Sequence, residues 1–201
     1  MMNRRRFAAA GLLALLAPGS ARAGNQREER LAADVRNAMR GSLDDAGEPK
    51  LIFSSAANGQ KWLDEMAARL SKYIKNDREA RRVLVAVQYE ASRAGLDPQL
   101  VLGLIKVESR FNRYAVSSAG ARGLMQVMPF WPVSLGQPEA NLFEVGVNLR
   151  YGCVILRHYL NIENGDMVRA LGRFNGTVRS YRYANAVFSA YRNEWLYDGP
   201  L

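Results

Sequence analysis

The sequence is poor in the residues that build disulfide frameworks and most metal sites. Its 201 residues include one cysteine and one histidine. A single thiol forms no internal disulfide, and Cys153 lies in the apolar run Y-G-C-V-I-L, so we interpret it as a small buried hydrophobic residue. Because His158 has no Cys/His cluster around it in the sequence, a metal site is not expected.

Patterns typical of β-strands are nearly absent, and no stretch alternates convincingly with a period of two. Apolar residues instead recur at spacings of three and four, as in the stripe Trp62, Met66, Leu70 and Tyr73. The sequence therefore predicts a mainly α fold. Helices are predicted over 25–40, 61–74, 77–94, 97–108, 141–160, 166–176 and 183–195, with a turn-rich linker at 41–59 and a proline-containing loop after Pro129.

No apolar run is long enough to span a bilayer as a permanent helix. The longest N-terminal run, Phe7 to Ala17, follows three arginines and precedes an A-x-A site that ends at Ala23. This order predicts a signal peptide over residues 1–23 and a periplasmic mature chain without an integral membrane segment. Arg4-Arg5-Arg6-Phe7 fits a loose twin-arginine pattern as well as a general secretory signal, so both export routes stay open. No cysteine stands at the cleavage site, and a lipid anchor is not expected.

Acidic residues are in deficit. The full chain carries 28 Lys and Arg against 19 Asp and Glu, and removal of the signal peptide with its four arginines leaves 24 against 19, a net charge of +5. This excess suits an anionic polymer. Nucleic acid is not expected, since no basic stripe alternates with aromatic residues. A basic surface that merely keeps the protein soluble explains the charge equally well.

The most informative stretch runs from Leu100 to Met128 and contains Glu108. Val101, Leu104 and Glu108 share one face of the predicted helix, with Ile105 beside them. Desolvation on this face and the nearby helix C-terminus both disfavour a negative charge. Both effects favour a carboxyl group that is still protonated near neutral pH, as a general acid requires. Taken alone, a surface glutamate at a fraying helix end is the simpler explanation.

The residues around Glu108 change this balance. The run E-S-R-F-N, starting at Glu108, and then S-x-x-G-A-x-G-L-M-Q-V-M-P, starting at Ser117, resemble the catalytic signature of the soluble lytic transglycosylases of bacterial cell walls. That family is related to goose-type lysozyme. The resemblance continues to about Tyr191 and covers a little over half of the chain. It implies a lysozyme-like transglycosylase domain, which we place at 77–201.

Residues 24–76 lie before that domain and are interpreted as an N-terminal helical extension with a linker. About 178 residues remain after loss of the signal peptide, a length that fits one domain with an appendage. The extension is expected to pack on the catalytic domain or to meet another protein of the cell envelope.

The resemblance also implies a mechanism with one carboxylate. Ordinary glycosidases use two, but Glu139 and Glu144 lie in a polar loop and at a helix start, where solvated roles suffice. By the resemblance, Glu108 protonates the glycosidic oxygen of a peptidoglycan strand, the 2-acetamido group stabilises the cation, and a 1,6-anhydro ring closes. No cofactor or metal is implied. A lysozyme-type hydrolase with a held water and a non-catalytic wall-binding protein are the alternatives.

Further site residues follow from the same match. They are Ser117 and Gln126 as polar groups in the cleft, Gly120 and Gly123 as points of close approach to a sugar, Met125 as an apolar wall, and Asn175 and Tyr183. The hydroxyl of Tyr183 is implied to reach toward the catalytic glutamate. Gln126 and Asn175 could instead satisfy buried backbone groups, and Tyr183 could be a core residue. Arg173 and Phe174 replace an alanine and a tyrosine of the family motif.

Overall fold

A computed structural model describes residues 31, 33–44, 47–177 and 180–199. Within these ranges the protein is helical and contains two isolated antiparallel bridges but no strand, so the predicted mainly α fold is confirmed. The helices are α1 (Ala33–Asp44), α2 (Ala56–Leu70), α3 (Asp77–Arg93), α4 (Pro98–Ser109), α5 (Phe130–Ser134), α6 (Val145–Ile162), α7 (Met167–Asn175) and α8 (Tyr181–Ala190), followed by a π-helical turn (Tyr191–Trp195). The expected signal peptide at 1–23 lies outside the described residues.

Side chains that cap the helix N-termini explain where α3 and α4 begin. Asp97 accepts a hydrogen bond from the Gln99 backbone N–H at 2.8 Å, and Pro98 occupies the first turn, as the sequence predicts. At α3 the capping residue is Asn76, whose side chain accepts a hydrogen bond from the Glu79 N–H at 3.0 Å.

The segment between Pro129 and α6 differs from its prediction. Residues 130–134 form the short helix α5 rather than a loop, because Pro132 lies in a first turn where its missing N–H costs no hydrogen bond. The helix expected from 141 begins at Val145. Asn141 accepts a bond from the Phe143 N–H at 3.0 Å and forms a turn before it. No helix in the described part of the chain is long and apolar enough to cross a bilayer.

The core is shared between α2 and the helices that follow it. Three residues of the predicted stripe on α2, Trp62, Met66 and Leu70, are fully buried. They belong to the same hydrophobic cluster as Val101 and Leu104 of α4. The predicted domain boundary at residue 77 therefore separates helices whose side chains pack in one hydrophobic core. A separate domain at 77–201 stays a prediction.

A glycine sets the distance between α4 and α8. A Cβ added to Gly103 would lie 3.0 Å from both the Val187 carbonyl oxygen and the Tyr191 backbone nitrogen. The two helices thus approach backbone to backbone at this point. Farther along α4, Glu108 meets Tyr183, which precedes Val187 on α8, so the helices run antiparallel. This close contact brings two side chains of the candidate site together.

Candidate active site

Glu108 is held at the end of an apolar helix face. It is the penultimate residue of α4, and Val101, Leu104 and Ile105 on the same side are completely buried. The side chain of Glu108 is itself buried, with 8 % exposure. Arg110 adopts a left-handed conformation (φ +51°) and ends the helix directly after it. The arrangement agrees with the one expected from the spacing.

The two oxygens of the Glu108 carboxyl group have different surroundings. Oε1 accepts a hydrogen bond from the Tyr183 hydroxyl at 2.5 Å. Oε2 is buried and has no hydrogen-bond partner within the described residues. Burial raises the pKa of Glu108 from 4.5 to about 8, and the bond from Tyr183 lowers it in part. The carboxyl group is therefore mostly protonated at neutral pH.

Tyr183 remains a neutral donor in this pair. Burial, and then the charge of Glu108, raise its pKa well above the ordinary phenol value. Because Oε1 accepts the hydrogen bond from the Tyr183 hydroxyl, we place the carboxyl proton of Glu108 on Oε2. The site thus holds one proton on a buried oxygen with no partner from the described residues.

The chain reverses immediately after Glu108 in a strained turn. Both Arg110 and Phe111 have positive φ angles, +51° and +63°, which side chains other than glycine rarely adopt. The Phe111 ring packs at 5.1 Å from Tyr73 and 5.3 Å from Trp195, centroid to centroid. Tyr73, which follows α2, and Trp195 of the π-helical turn therefore hold the strained turn in place.

An ion pair on the other side of α4 fixes the same helix end. Lys106 pairs with Glu194 of the π-helical turn, and the Tyr73 hydroxyl donates a 2.8 Å hydrogen bond to the second oxygen of Glu194. Arg69 of α2 donates to the Glu194 backbone oxygen at 3.1 Å. Sequence reasoning missed this network, because the residues are far apart in the chain and none of them belongs to a local motif.

Ser117 and Gln126 both stabilise the segment that follows Glu108. The Ser117 Oγ accepts bonds from the N–H groups of Ala119 and Ala121. Gln126 is 2 % exposed, and its Nε2 donates to the carbonyl oxygens of Ala115 and Gly123 at 3.1 and 3.0 Å. The alternative expected for Gln126, satisfaction of buried backbone, is therefore observed.

The reason expected for Gly123 and Met125 needs correction. Gly123 has φ +75°, and a Cβ there would collide with the Asn148 side chain and the Leu142 carbonyl oxygen, which are protein atoms rather than a sugar. The Met125 side chain is completely buried and packs against Gly152 of α6. Both residues anchor the loop on α6 and present no open surface. Gly120, by contrast, has φ +87° and open space around its Cβ position.

Asn148 is the residue that makes this anchoring possible, and no local pattern in the sequence marks it. It is buried in α6, and its Oδ1 accepts from the Met125 N–H at 2.8 Å. Its Nδ2 donates to the carbonyl oxygens of Arg122 and Leu142, both at 2.8 Å. One side chain thus satisfies three backbone groups of two loops.

Asn175 lies at the end of α7 and is buried. Its Oδ1 accepts a bond from the Thr177 hydroxyl at 3.1 Å, and Gly176 ends the helix with φ +76°. Arg173, which departs from the family motif, pairs with the buried Glu163. Of the residues predicted from the sequence, the structure joins Glu108 and Tyr183 directly. The loop that follows Glu108 is stabilised, internally or against α6, by Ser117, Gly123, Met125 and Gln126.

Comparison with known proteins identifies relatives of this region. A lytic murein transglycosylase C described as membrane-bound, from Actinobacillus pleuropneumoniae, is 56% identical over 123 residues, which is 57% of this chain and 31% of the relative. Proteins of the same name from Glaesserella parasuis and Haemophilus influenzae are 56% and 50% identical over 50 residues, 25% of this chain and 14% of each relative. The chain thus matches a third or less of the length of these curated relatives.

The family comparison covers the site itself. The model of the transglycosylase SLT domain matches residues 85–193, which include α4 with Glu108, the loop with Gln126 and α8 with Tyr183. The lytic transglycosylase family and the helical lysozyme-like fold expected from the signature are thereby confirmed. Because the match extends over more than half of the chain, the protein belongs to the transglycosylase SLT domain family.

Proposed function

We propose that this domain cleaves the β-1,4 bond between N-acetylmuramic acid and N-acetylglucosamine in peptidoglycan without consuming water. The observation that carries the proposal is the buried, protonated Glu108 with one oxygen bonded to Tyr183 and the other lacking a partner among the described residues. The relatives are named as murein transglycosylases, and the signature around Glu108 resembles that of the family. A location in the cell envelope follows from that substrate, and the route of export stays open.

The first step uses Glu108 as an acid. Its pKa of about 8 keeps the carboxyl group protonated at neutral pH, and Tyr183 leaves the proton on Oε2. Oε2 transfers that proton to the glycosidic oxygen as the bond from that oxygen to C1 of the muramic acid breaks. The 2-acetamido oxygen of the same sugar stabilises the positive charge that develops at C1. No second carboxylate is needed for this stage.

The second step uses the same residue as a base. Glu108 is now ionised, and the hydrogen bond from Tyr183 stabilises the carboxylate. It takes the proton of the C6 hydroxyl while O6 attacks C1, which closes the 1,6-anhydro ring. The proton lost in the first step is regained in the second, so the residue returns to its starting state. Atoms balance without water, metal or cofactor.

Other residues have proposed roles around this centre. The hydroxyl of Ser117, the side-chain oxygen of Gln126 and the amide of Asn175 are candidates for contacts with the glycan, since the Gln126 nitrogen already donates to two backbone carbonyls. Gly123 and Met125 contribute by fixing the loop that carries them, since Gly123 packs against Asn148 and Met125 is buried. Contact of the N-terminal extension with another envelope protein stays a prediction.

Substitution of Glu108 tests the proposed role. Glu108→Gln keeps the shape of the side chain but neither donates nor accepts the proton, so turnover of purified peptidoglycan should fall at least about a hundredfold. Glu139→Gln, at an exposed position, is the matched control and should retain wild-type turnover. A folded Glu108→Gln protein with near wild-type activity would contradict the proposal.

A further inference from the structure

Two arginines and two aromatic rings cluster where the loop that follows Glu108 meets the segment before α6. The guanidinium carbon of Arg113 lies 5.0 Å from the centre of the Tyr114 ring, and that of Arg122 lies 5.8 Å from the centre of the Phe143 ring. The Tyr114 and Phe143 rings are 6.3 Å apart, and Arg113 donates to the Phe143 carbonyl oxygen at 3.3 Å. We call these four residues the arginine–aromatic surface.

This surface is open and positively charged. Tyr114 is 66% exposed, and Arg122 is exposed as well. Neither arginine forms an ion pair with an acidic side chain in the part of the chain that the structure describes. The Nε of Arg113 is buried and has no hydrogen-bond partner there. Two positive charges therefore lie beside exposed aromatic area with no negative partner from the described residues.

The cluster is also close to Glu108 along the chain. Arg113 follows Glu108 by five residues, so their Cα atoms lie within about 18 Å of each other. The carbonyl oxygen of Ala115, beside Tyr114, accepts bonds from Gln126 and from the Gly123 N–H. The separation between Arg113 and Glu108 is within the reach of a substrate that occupies the catalytic centre and extends by a few units.

We propose that the arginine–aromatic surface binds carboxylate groups of the acidic stem peptides that peptidoglycan carries; the inference rests on the proposed function. A guanidinium group matches a carboxylate with two parallel hydrogen bonds. The exposed face of Tyr114 covers apolar parts of the peptide and excludes water from the ion pair. The surface thus favours cleavage of strands that carry stem peptides over strands from which an amidase has removed them.

Arg122 is the residue to change, because its side chain is exposed and its contact among the described residues is the Phe143 ring rather than the core. Arg122→Gln should lower kcat/KM on peptide-bearing strands about three- to tenfold, mainly through KM, and leave the value on amidase-treated strands within about twofold. The kcat/KM of Arg122→Lys on peptide-bearing strands should lie between the values of the wild type and Arg122→Gln, because lysine keeps the charge but lacks the planar guanidinium group. Arg82→Gln removes the same charge from an exposed position on α3 and is the control.

A binding measurement keeps the test independent of catalysis. Cosedimentation with insoluble sacculi should weaken for Arg122→Gln, compared with Arg82→Gln, and the difference should vanish after amidase treatment. Equal loss on both substrates would assign the surface to the glycan and overturn the proposal, as would unchanged binding and KM. If the wild type binds as described but forms no anhydro product, the surface stands and the proposed function fails. An unchanged melting temperature of Arg122→Gln excludes a folding defect.

Discussion

The Tyr183 hydroxyl donates a 2.5 Å hydrogen bond to Glu108 Oε1, although 75 residues separate the two in the chain. The bond joins α8 to the C-terminal end of α4. It assigns each oxygen of the carboxyl group a different task, since Oε1 accepts the hydrogen bond from the phenol and Oε2 carries the acid proton. The reactivity of Glu108 therefore depends on how accurately two helices pack.

Tyr183→Phe should change the pH profile of turnover in a defined direction. The acid step needs protonated Glu108, so activity falls as pH rises through the Glu108 pKa of about 8. The lost hydrogen bond favoured the carboxylate, and its removal raises this pKa further. The alkaline limb should move upward by about one to two pH units, since a hydrogen bond to a charged group contributes about 1.5–3 kcal/mol. The maximal rate should fall, because the base is less well stabilised and oriented.

Tyr181→Phe provides the control for that experiment. Tyr181 lies two residues earlier on α8 and is exposed, so loss of its hydroxyl should leave the alkaline limb in place. A limb that stays fixed or moves to lower pH in Tyr183→Phe would show that Tyr183 does not stabilise the ionised carboxylate.

Glu108→Gln should stabilise the protein in a pH-dependent manner. The pKa of Glu108 is about 8 in the folded state against 4.5 for the ordinary group, so the folded state binds the extra proton between these values. The contribution of the Glu108 proton to the free energy of unfolding is therefore fully present below pH 4.5 and is lost as the pH rises through 8. Glutamine does not ionise and avoids this loss, which amounts to a few kcal/mol at about 1.4 kcal/mol per unit of pKa difference.

Thermal or urea unfolding of both proteins at several pH values measures this effect. The stability advantage of Glu108→Gln should grow between about pH 5 and pH 8 and then level off. Glu139→Gln, with its exposed side chain, should show no such growth. A constant difference between the wild type and Glu108→Gln across this range would mean that Glu108 has an ordinary pKa.

Gly103→Ala should separate α4 from α8. The new Cβ would lie 3.0 Å from backbone atoms of Val187 and Tyr191, which cannot move without the helix. We expect a loss of about 1–3 kcal/mol in the free energy of unfolding, together with reduced turnover because the bond between Glu108 and Tyr183 lengthens.

Gly146→Ala on α6 is the matched control, since no atom lies within 4 Å of the position where its Cβ would be. Alanine generally favours a helix over glycine by about 0.5–1 kcal/mol, so this variant should be as stable as the wild type or more so. Equal effects of the two substitutions would show that the helices do not approach as closely as described.

Trp62→Ala tests whether α2 belongs to the cooperative core. Trp62 is fully buried and its ring lies 5.6 Å from that of Phe53. Its loss should lower the free energy of unfolding by about 3–5 kcal/mol, within a single unfolding transition. Val133→Ala, at an exposed position, should cost less than about 0.5 kcal/mol. Two separate transitions, with the second unaffected by Trp62→Ala, would support an independent unit at 77–201.

Local patterns in the sequence predicted the helix that carries Glu108, but α1 and α2 extend into the predicted linker at 41–59 and α5 was not predicted. The spacing of Val101, Leu104 and Glu108 reports one helix face, and Asp97-Pro98 is a start signal that depends on adjacent residues alone. The link between Glu108 and Tyr183 came from the resemblance to the family. Periodicity has no information about which residue of a later helix faces an earlier one.

Contacts between distant segments were missed for the same reason. Asn148 bonds to Met125 across 23 residues, and Lys106 pairs with Glu194 across 88. Gly123 was expected to make room for a sugar, but it makes room for Asn148. A glycine in the motif thus indicates a need for small size, and the fold identifies the neighbour that imposes this need.

The mass of the products released from purified peptidoglycan tests the central claim most directly. If Glu108 acts first as acid and then as base, the wild type should release muropeptides lighter by one water than those made by a lysozyme, with no reducing muramic acid end. Glu108→Gln should release neither kind. Products that all carry reducing ends would show that water attacks the sugar, and they would contradict the one-carboxylate mechanism.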